Sequence, residues 1–169
     1  MKKSSRRSPV SVICSALGTL LIILLIILCV PLTVPQLWGY QVYTVVSGSM
    51  EPEIPVGSLV YIQRTDAAEA KPNEVVAFYG ARDSAAIITH RVVENHTVMG
   101  EIITKGDANQ NNDMNPVEYE DFIGTVKTTI PKLGTVALVL TSAEGKTAAV
   151  CGIALAIVLH VIAMIFDRK

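Results

Sequence analysis

Residues 20–32 read LLIILLIILCVPL, a run with no charged residue and one polar atom of any kind, the Cys29 thiol. Taken outward, residues 9–34 are apolar apart from hydroxyls, Gly18 and two prolines. A helix needs about 20 apolar residues to cross a bilayer, and this stretch supplies them. Residues 148–166 form a second uncharged run, whose one polar ring is His160. The 169-residue chain shares this bias: it is 50% apolar and 17% charged, with mean hydropathy +0.44. About a quarter of the residues of an ordinary soluble domain are charged, and a disordered chain is more polar still. Neither class fits.

Charge is sorted along the chain. Residues 1–32 hold four cations, Lys2, Lys3, Arg6 and Arg7, and no acid. Residues 33–146 hold eight cations and fourteen acids, and the last stretch ends in Asp167, Arg168 and Lys169. Cations flanking the outer ends of two spans mark the cytoplasmic side. Both termini are therefore expected in the cytoplasm, most simply at a plasma membrane, with the acidic middle outside. A cleavable leader would also begin with a basic tip. The apolar run here is longer than a leader's, however, and no A-x-A site follows it, so a retained anchor is expected. The resulting division is a basic tip (1–8), a first span (9–34), an extracytoplasmic domain (35–146), a second span (147–166) and a tail (167–169). The near-neutral total, −1, argues against nucleic acid as a partner. Cys14, Cys29 and Cys151 all lie in the apolar runs, which excludes a disulfide framework for the middle.

The middle reads as short strands: Tyr40–Val46, Ser58–Gln63, Glu74–Tyr79, Ala86–Val93, His96–Met99, Glu101–Lys105 and Ile123–Ile130. Pro- and Gly-bearing turns separate most of them, the pattern of a small β barrel or sandwich. The expected fold is thus mainly β, a small barrel-like domain flanked by two transmembrane helices. Residues 107–115 are a polar loop, and loops on a rigid scaffold often carry function.

Three segments of this domain have chemical potential. Ser47-Gly48-Ser49-Met50-Glu51-Pro52 follows an apolar strand and turns sharply, which can present a serine hydroxyl to a cleft. An ordinary strand-end turn uses the same residues. Thr89-His90-Arg91-Val92 puts an imidazole, a suitable base for a hydroxyl, in the middle of a strand. A surface histidine on a half-buried strand reads identically. Lys105-Gly106-Asp107 leads a loop that ends in Asp113, and one of its carboxylates could fix a histidine tautomer. A solvated loop is the alternative, while the calcium-loop pattern fails for want of its glycine. His90 and His96 without a third ligand are weak grounds for a metal. Asn95-His96-Thr97 fits both a glycosylation sequon and a plain turn. His160 is expected to pack between helices or sit at the interface, although ionisable groups in a span are functional flags.

Together these segments resemble type I signal peptidases. S-G-S-M-E-P (47–52), P-x-G-S-L-V (55–60), P-N-E-V-V-A-F (72–78), T-H-R-V (89–92) and K-G-D-A-N-x-x-x-D (105–113) occur in that family's order and spacing, over roughly residues 9–130. Histidine stands where most bacterial members have a lysine, which points to the endoplasmic-reticulum-type branch. The resemblance implies a membrane-bound serine endopeptidase with Ser49 as nucleophile and His90 as general base. It implies that Asp113 orients His90 and that Asp107 is the second acid of that box. Ser47 would assist in an oxyanion hole, and Lys105 would not be the base. No cofactor or metal is implied. The implied partners are preprotein signal peptides, membrane lipids and accessory or secretion-machinery subunits. Ile54–Val56 is expected to line a shallow peptide site. A tethered β domain that binds peptides without cutting them, or an inactive assembly subunit, is the alternative.

Overall fold

The computed structural model describes residues 8–80 and 86–167. The basic tip at 1–7 and the last two cations, Arg168 and Lys169, lie outside the described residues. The chain divides into two units, Thr33–Leu138 and a helical unit made of Met1–Leu32 with Val139–Lys169.

The helical unit is built from α1 (Pro9–Leu37) and α3 (Ala143–Asp167), both long and apolar enough to cross a membrane. Few of their residues are buried: Ser11 and Gly18 on α1, and Gly145, Ala156 and Ala163 on α3. Helices that expose aliphatic side chains nearly all round suit lipid rather than water. A short helix, α2 (Leu133–Thr141), precedes α3, in a region where no element was expected from the sequence.

The other unit is one seven-stranded antiparallel sheet that curves into a half-barrel, with strand order β1-β2-β7-β3-β4-β5-β6. Its strands are β1 (Tyr40–Thr44), β2 (Leu59–Gln63), β3 (Val75–Tyr79), β4 (Ile87–His96), β5 (Glu101–Lys105), β6 (Val117–Glu118) and β7 (Phe122–Ile130). The separate strand expected at His96–Met99 is absent. Instead β4 runs on to His96, and the amides of Met99 and Gly100 both return to the His96 carbonyl, at 3.0 and 2.9 Å. That tight turn leaves residues 97–100 outside the ladder. The two-residue β6 was not foreseen. It is too short for an alternating pattern and pairs with the start of β5 through Ile102 and Val117.

Both faces of the sheet carry core. Val45, Met50, Ile54, Val60, Ile62, Ala77 and Ile123 form one cluster. Ala67, Ala70, Val76, Phe78, Val92, Ile102 and Val117 form the other. Side chains alternate along a strand, so Ala77 joins the first cluster while its neighbours Val76 and Phe78 join the second. Burial on both faces explains why β2 and β3 read as continuous apolar runs. The same alternation sorts β4. His90 stands opposite Val76 and shares the face of the second cluster, whereas Arg91 stands opposite Val75 on the first.

Candidate active site

Ser49 sits in the turn that leaves β1, half-buried, with Ser47 and Gly48 exposed before it. Met50 anchors this turn. Its side chain is 1% exposed and lies in the first core cluster. Backbone bonds tighten the turn, from Glu51 N–H to the Gly48 carbonyl (3.0 Å) and from Ile54 N–H to the Met50 carbonyl (2.8 Å). The residue after the serine is thus held by burial, which fixes where Ser49 can point.

His90 is 7% exposed, its ring edge-on to Phe78 at 6.1 Å between centroids. Its Nδ1 lies 2.5 Å from Asp113 Oδ2. A carboxylate only accepts, so Nδ1 carries the proton, and in the neutral imidazole the lone pair is then on Nε2. The same Asp113 oxygen accepts from the Thr104 hydroxyl (2.7 Å), and Asp113 N–H donates to the Thr104 carbonyl (2.8 Å). Thr104 is fully buried on β5. No motif singled it out; its one signal was its inward place in the alternation of β5.

Nε2 of His90 faces Gly106. A β-carbon on Gly106 would stand 2.6 Å from the Ser49 carbonyl oxygen, 2.8 Å from Asn109 Nδ2 and 3.0 Å from His90 Nε2. Ala108 N–H donates to that same Ser49 carbonyl at 2.9 Å. The loop after β5 therefore docks on the Ser49 backbone, and only glycine leaves room for Ser49 and His90 to approach it together. The sequence motif contained Gly106, but its purpose was not legible there.

Asp107 turns elsewhere. Its carboxylate takes two bonds from Arg91, from Nε at 2.8 Å and Nη2 at 2.6 Å, while Arg91 Nη1 donates to the Asn73 carbonyl at 2.7 Å. The hydrogen bond to Asp107 is the main reason that the Arg91 guanidinium is held even more firmly charged than usual. Because His90 and Arg91 lie on opposite faces of β4, the loop grips that strand from both sides, Asp113 on one and Asp107 on the other. Asp107→Asn breaks a bidentate ion pair in a half-buried place. It is expected to cost about 1–3 kcal/mol and to lower Tm by several degrees, with partial loss of activity. Thermal melts run beside single-turnover acylation check this. An unchanged Tm with acylation abolished would put Asp107 in the chemical step instead.

Ser47 lines a cleft of about 240 Å³ together with Tyr43, Val45, Val60, Ile87 and Thr89. Ile54, expected in a peptide site, is instead 3% exposed in the core, and of that trio Val56 is the exposed one. The apolar run 54–56 misled because its first residue closes the core beneath the turn.

The other polar residues lie apart from this cluster. His96 is held at the far end of β4 by Glu94 (3.0 Å) and Glu101 (3.2 Å), which raise its pKa above the ordinary imidazole value. Asn95 is tied into the fold. Its amide nitrogen donates to the carbonyls of Ala67 and Ala70, both at 2.9 Å, and its oxygen accepts from the Tyr119 hydroxyl at 2.6 Å. The sequon nitrogen is thus occupied as a junction between segments. Among the described residues, no three of His, Cys, Asp or Glu converge as a metal site.

No family model matches the chain. It is similar to signal peptidase I W of Bacillus subtilis, 38% identical over 91 residues, which is 52% of this chain and 46% of that protein. It is similar to the signal peptidase complex catalytic subunit SEC11 of Clavispora lusitaniae, 33% identical over 110 residues, 59% of this chain and 65% of the relative. It is also similar to SEC11 of Colletotrichum graminicola, 33% identical over 122 residues, 66% of this chain and 70% of the relative. The aligned region spans about half of the first of these relatives and just under two thirds of the second. With likeness of this extent to bacterial and fungal members alike, the chain belongs to the type I signal peptidase family, on its endoplasmic-reticulum-type branch.

Proposed function

We propose that the chain is a membrane-bound serine endopeptidase that removes N-terminal signal peptides from exported preproteins. The observation that carries this reading is the hydrogen bond from His90 Nδ1–H to Asp113, which leaves a basic Nε2 facing Gly106 and the Ser49 backbone. Nε2 takes the Ser49 proton as the hydroxyl attacks the scissile carbonyl. Asp113 stabilises the imidazolium that forms and holds the ring in its tautomer. The backbone N–H of Ser49 and the Ser47 hydroxyl receive the developing oxyanion, at about 3 kcal/mol per donor. His90 then returns its proton to the leaving amine and activates water to release the acyl-enzyme. Asp107 keeps the loop in shape through Arg91.

The cleft beside Ser47 suits a short extended peptide with small side chains, the kind that precedes a signal-peptide cut. The substrate's apolar segment would share the bilayer with α1 and α3, which raises the effective concentration of the two partners. The domain division 1–8, 9–34, 35–146, 147–166 and 167–169 belongs to this reading, with both termini cytoplasmic and the middle outside. The SEC11 relatives are named as subunits of a complex, which supports accessory subunits here.

Two measurements test this. A fluorophosphonate-type serine probe on the membrane-embedded protein should label wild type and not Ser49→Ala. Equal labelling, or cleavage retained by Ser49→Ala, would remove Ser49 as the nucleophile; a wild-type protein that neither labels nor cleaves would leave only the non-catalytic alternative. Protease added to intact cells or protoplasts should cut within residues 35–146 and spare both termini; a protected middle would reverse the topology.

A further inference from the structure

Lipid tails are as apolar as leucine, so two spans gain nothing from the hydrophobic effect by pairing inside a bilayer. Close packing and interhelical hydrogen bonds must hold them. In the helical unit α1 and α3 meet along a narrow seam. On α1 it passes Ser11, Gly18 and Leu25, each seven residues from the last. On α3 it passes Gly152, Ala156, His160 and Ala163. Leu25 Cδ1 lies 3.6 Å from where a β-carbon on Gly152 would stand, Gly18 abuts His160 and Ala156, and Ser11 shares a cleft with Ala163. Rising numbers on one helix meet falling numbers on the other, so the pair is antiparallel.

His160 is the polar centre of this seam. Its Nδ1 lies 2.8 Å from the Ala156 carbonyl one turn earlier. A carbonyl only accepts, so Nδ1 bears the proton. Nε2 is then the acceptor, and the Thr19 hydroxyl of α1 stands 3.4 Å from it. The ring is seated on Gly18. Any side chain at that position would strike the His160 ring, with Cε1 at 2.6 Å, and would press on the Ala156 carbonyl at 3.2 Å. A neutral imidazole with both nitrogens engaged is one way in which an ionisable residue can remain inside a span. Three features coincide at one level of the bilayer: a glycine notch, a hydroxyl donor and a ring whose other nitrogen is already committed.

We propose that His160, as the neutral Nδ1–H tautomer seated on Gly18 and bonded by Thr19, is a clasp that sets the register of the second span on the first. This rests on the reading of α1 and α3 as membrane spans. The clasp is a positioning device, not part of the chemistry at Ser49, and it assigns a structural purpose to the one ionisable ring in either span.

The test uses the full chain in membranes, with Cys14, Cys29 and Cys151 changed to alanine and the pair Leu25→Cys and Gly152→Cys added. Mild oxidation should join the two new cysteines within one chain, read as loss of maleimide–polyethylene glycol labelling. Gly18→Leu and His160→Leu should each lower that yield about fivefold, the equilibrium shift of one interhelical hydrogen bond. His160→Gln, whose amide supplies both a donor and an acceptor, should keep it. Nitrogen NMR of ring-labelled histidine should find His160 protonated on Nδ1 and bare on Nε2. A protonated Nε2, disulfide between two chains, or a yield indifferent to Gly18→Leu and His160→Leu would overturn the clasp while leaving the spans in place. Release of the wild-type protein by alkaline carbonate would overturn the membrane reading itself, and the clasp with it.

Discussion

His90→Ala should abolish signal-peptide cleavage, with kcat down at least about 10⁴-fold, while His96→Ala and Lys105→Ala keep substantial activity. The reason is geometric. His90 is the imidazole whose Nδ1 is tied to a carboxylate and whose Nε2 faces the loop docked on Ser49. His96 lies six residues along the same extended strand, about 20 Å away at the usual rise, and its ring is engaged by Glu94 and Glu101. Lys105 stands opposite Arg91 in the β4–β5 register, on the face turned away from His90. His90→Lys should fail as well. A lysine is longer than the ring that Phe78 and Asp113 contact, and it must be desolvated to lose its proton near neutral pH. Steady-state cleavage of a preprotein in detergent or vesicles reads all four variants. Activity in His90→Ala together with its loss in Lys105→Ala would move the base to Lys105.

The second large effect is expected at Asp113. Asp113→Asn should lower turnover by about 10⁴-fold, the cost of the corresponding change in a well-characterised serine protease triad, with Tm close to wild type. The carboxylate accepts from both His90 Nδ1–H and the Thr104 hydroxyl. Both donors meet one oxygen, Oδ2, so an amide must either set its neutral oxygen there, losing the charge that stabilises the imidazolium, or set its NH₂ there. If its NH₂ turns toward the ring, Nδ1 must give up its proton and Nε2 carries it, which is the wrong tautomer for a base. Thr104→Val should produce a milder form of the same loss, because it removes one of the bonds that hold the carboxylate in line. Single-turnover acylation, with the melt as a folding control, decides the matter. Normal acylation in Asp113→Asn beside a crippled and well-folded Asp107→Asn would exchange the roles of the two acids.

Much of this molecule was legible in one dimension. The two helices follow from apolar runs too long for anything but a span or a fully buried helix. Most strands follow from β-rich runs between turns, and the motifs around Ser49, His90 and Asp113 marked the segments that come together. Lipid-facing runs and strand-and-turn patterns are written by near neighbours, so they survive without any knowledge of the fold. The errors had one local and one tertiary cause. The turn after His96 replaced a strand because two amides close back on one carbonyl. Ile54 left the expected peptide site because Met50 and β2 draw it into a core.

Residue types and spacing offered two acids for one histidine, and only the family resemblance favoured Asp113. That choice lies in the face of β4 that each residue occupies. His90 and Arg91 are consecutive, yet pleating sends them to opposite sides, and the loop from 106 to 113 carries one carboxylate to each. The sequence could not say why residue 106 is glycine, since the atoms that a β-carbon would strike belong to Ser49 and His90, 57 and 16 positions earlier. The same holds for Asn95, a sequon by spelling and a hydrogen-bonded junction by place, and for His160, whose partner Thr19 is 141 residues away. Composition and periodicity record what each residue prefers for itself. Which donor meets which acceptor is set by chain closure over tens of residues, and that is decided only when the sheet and the helix pair have formed.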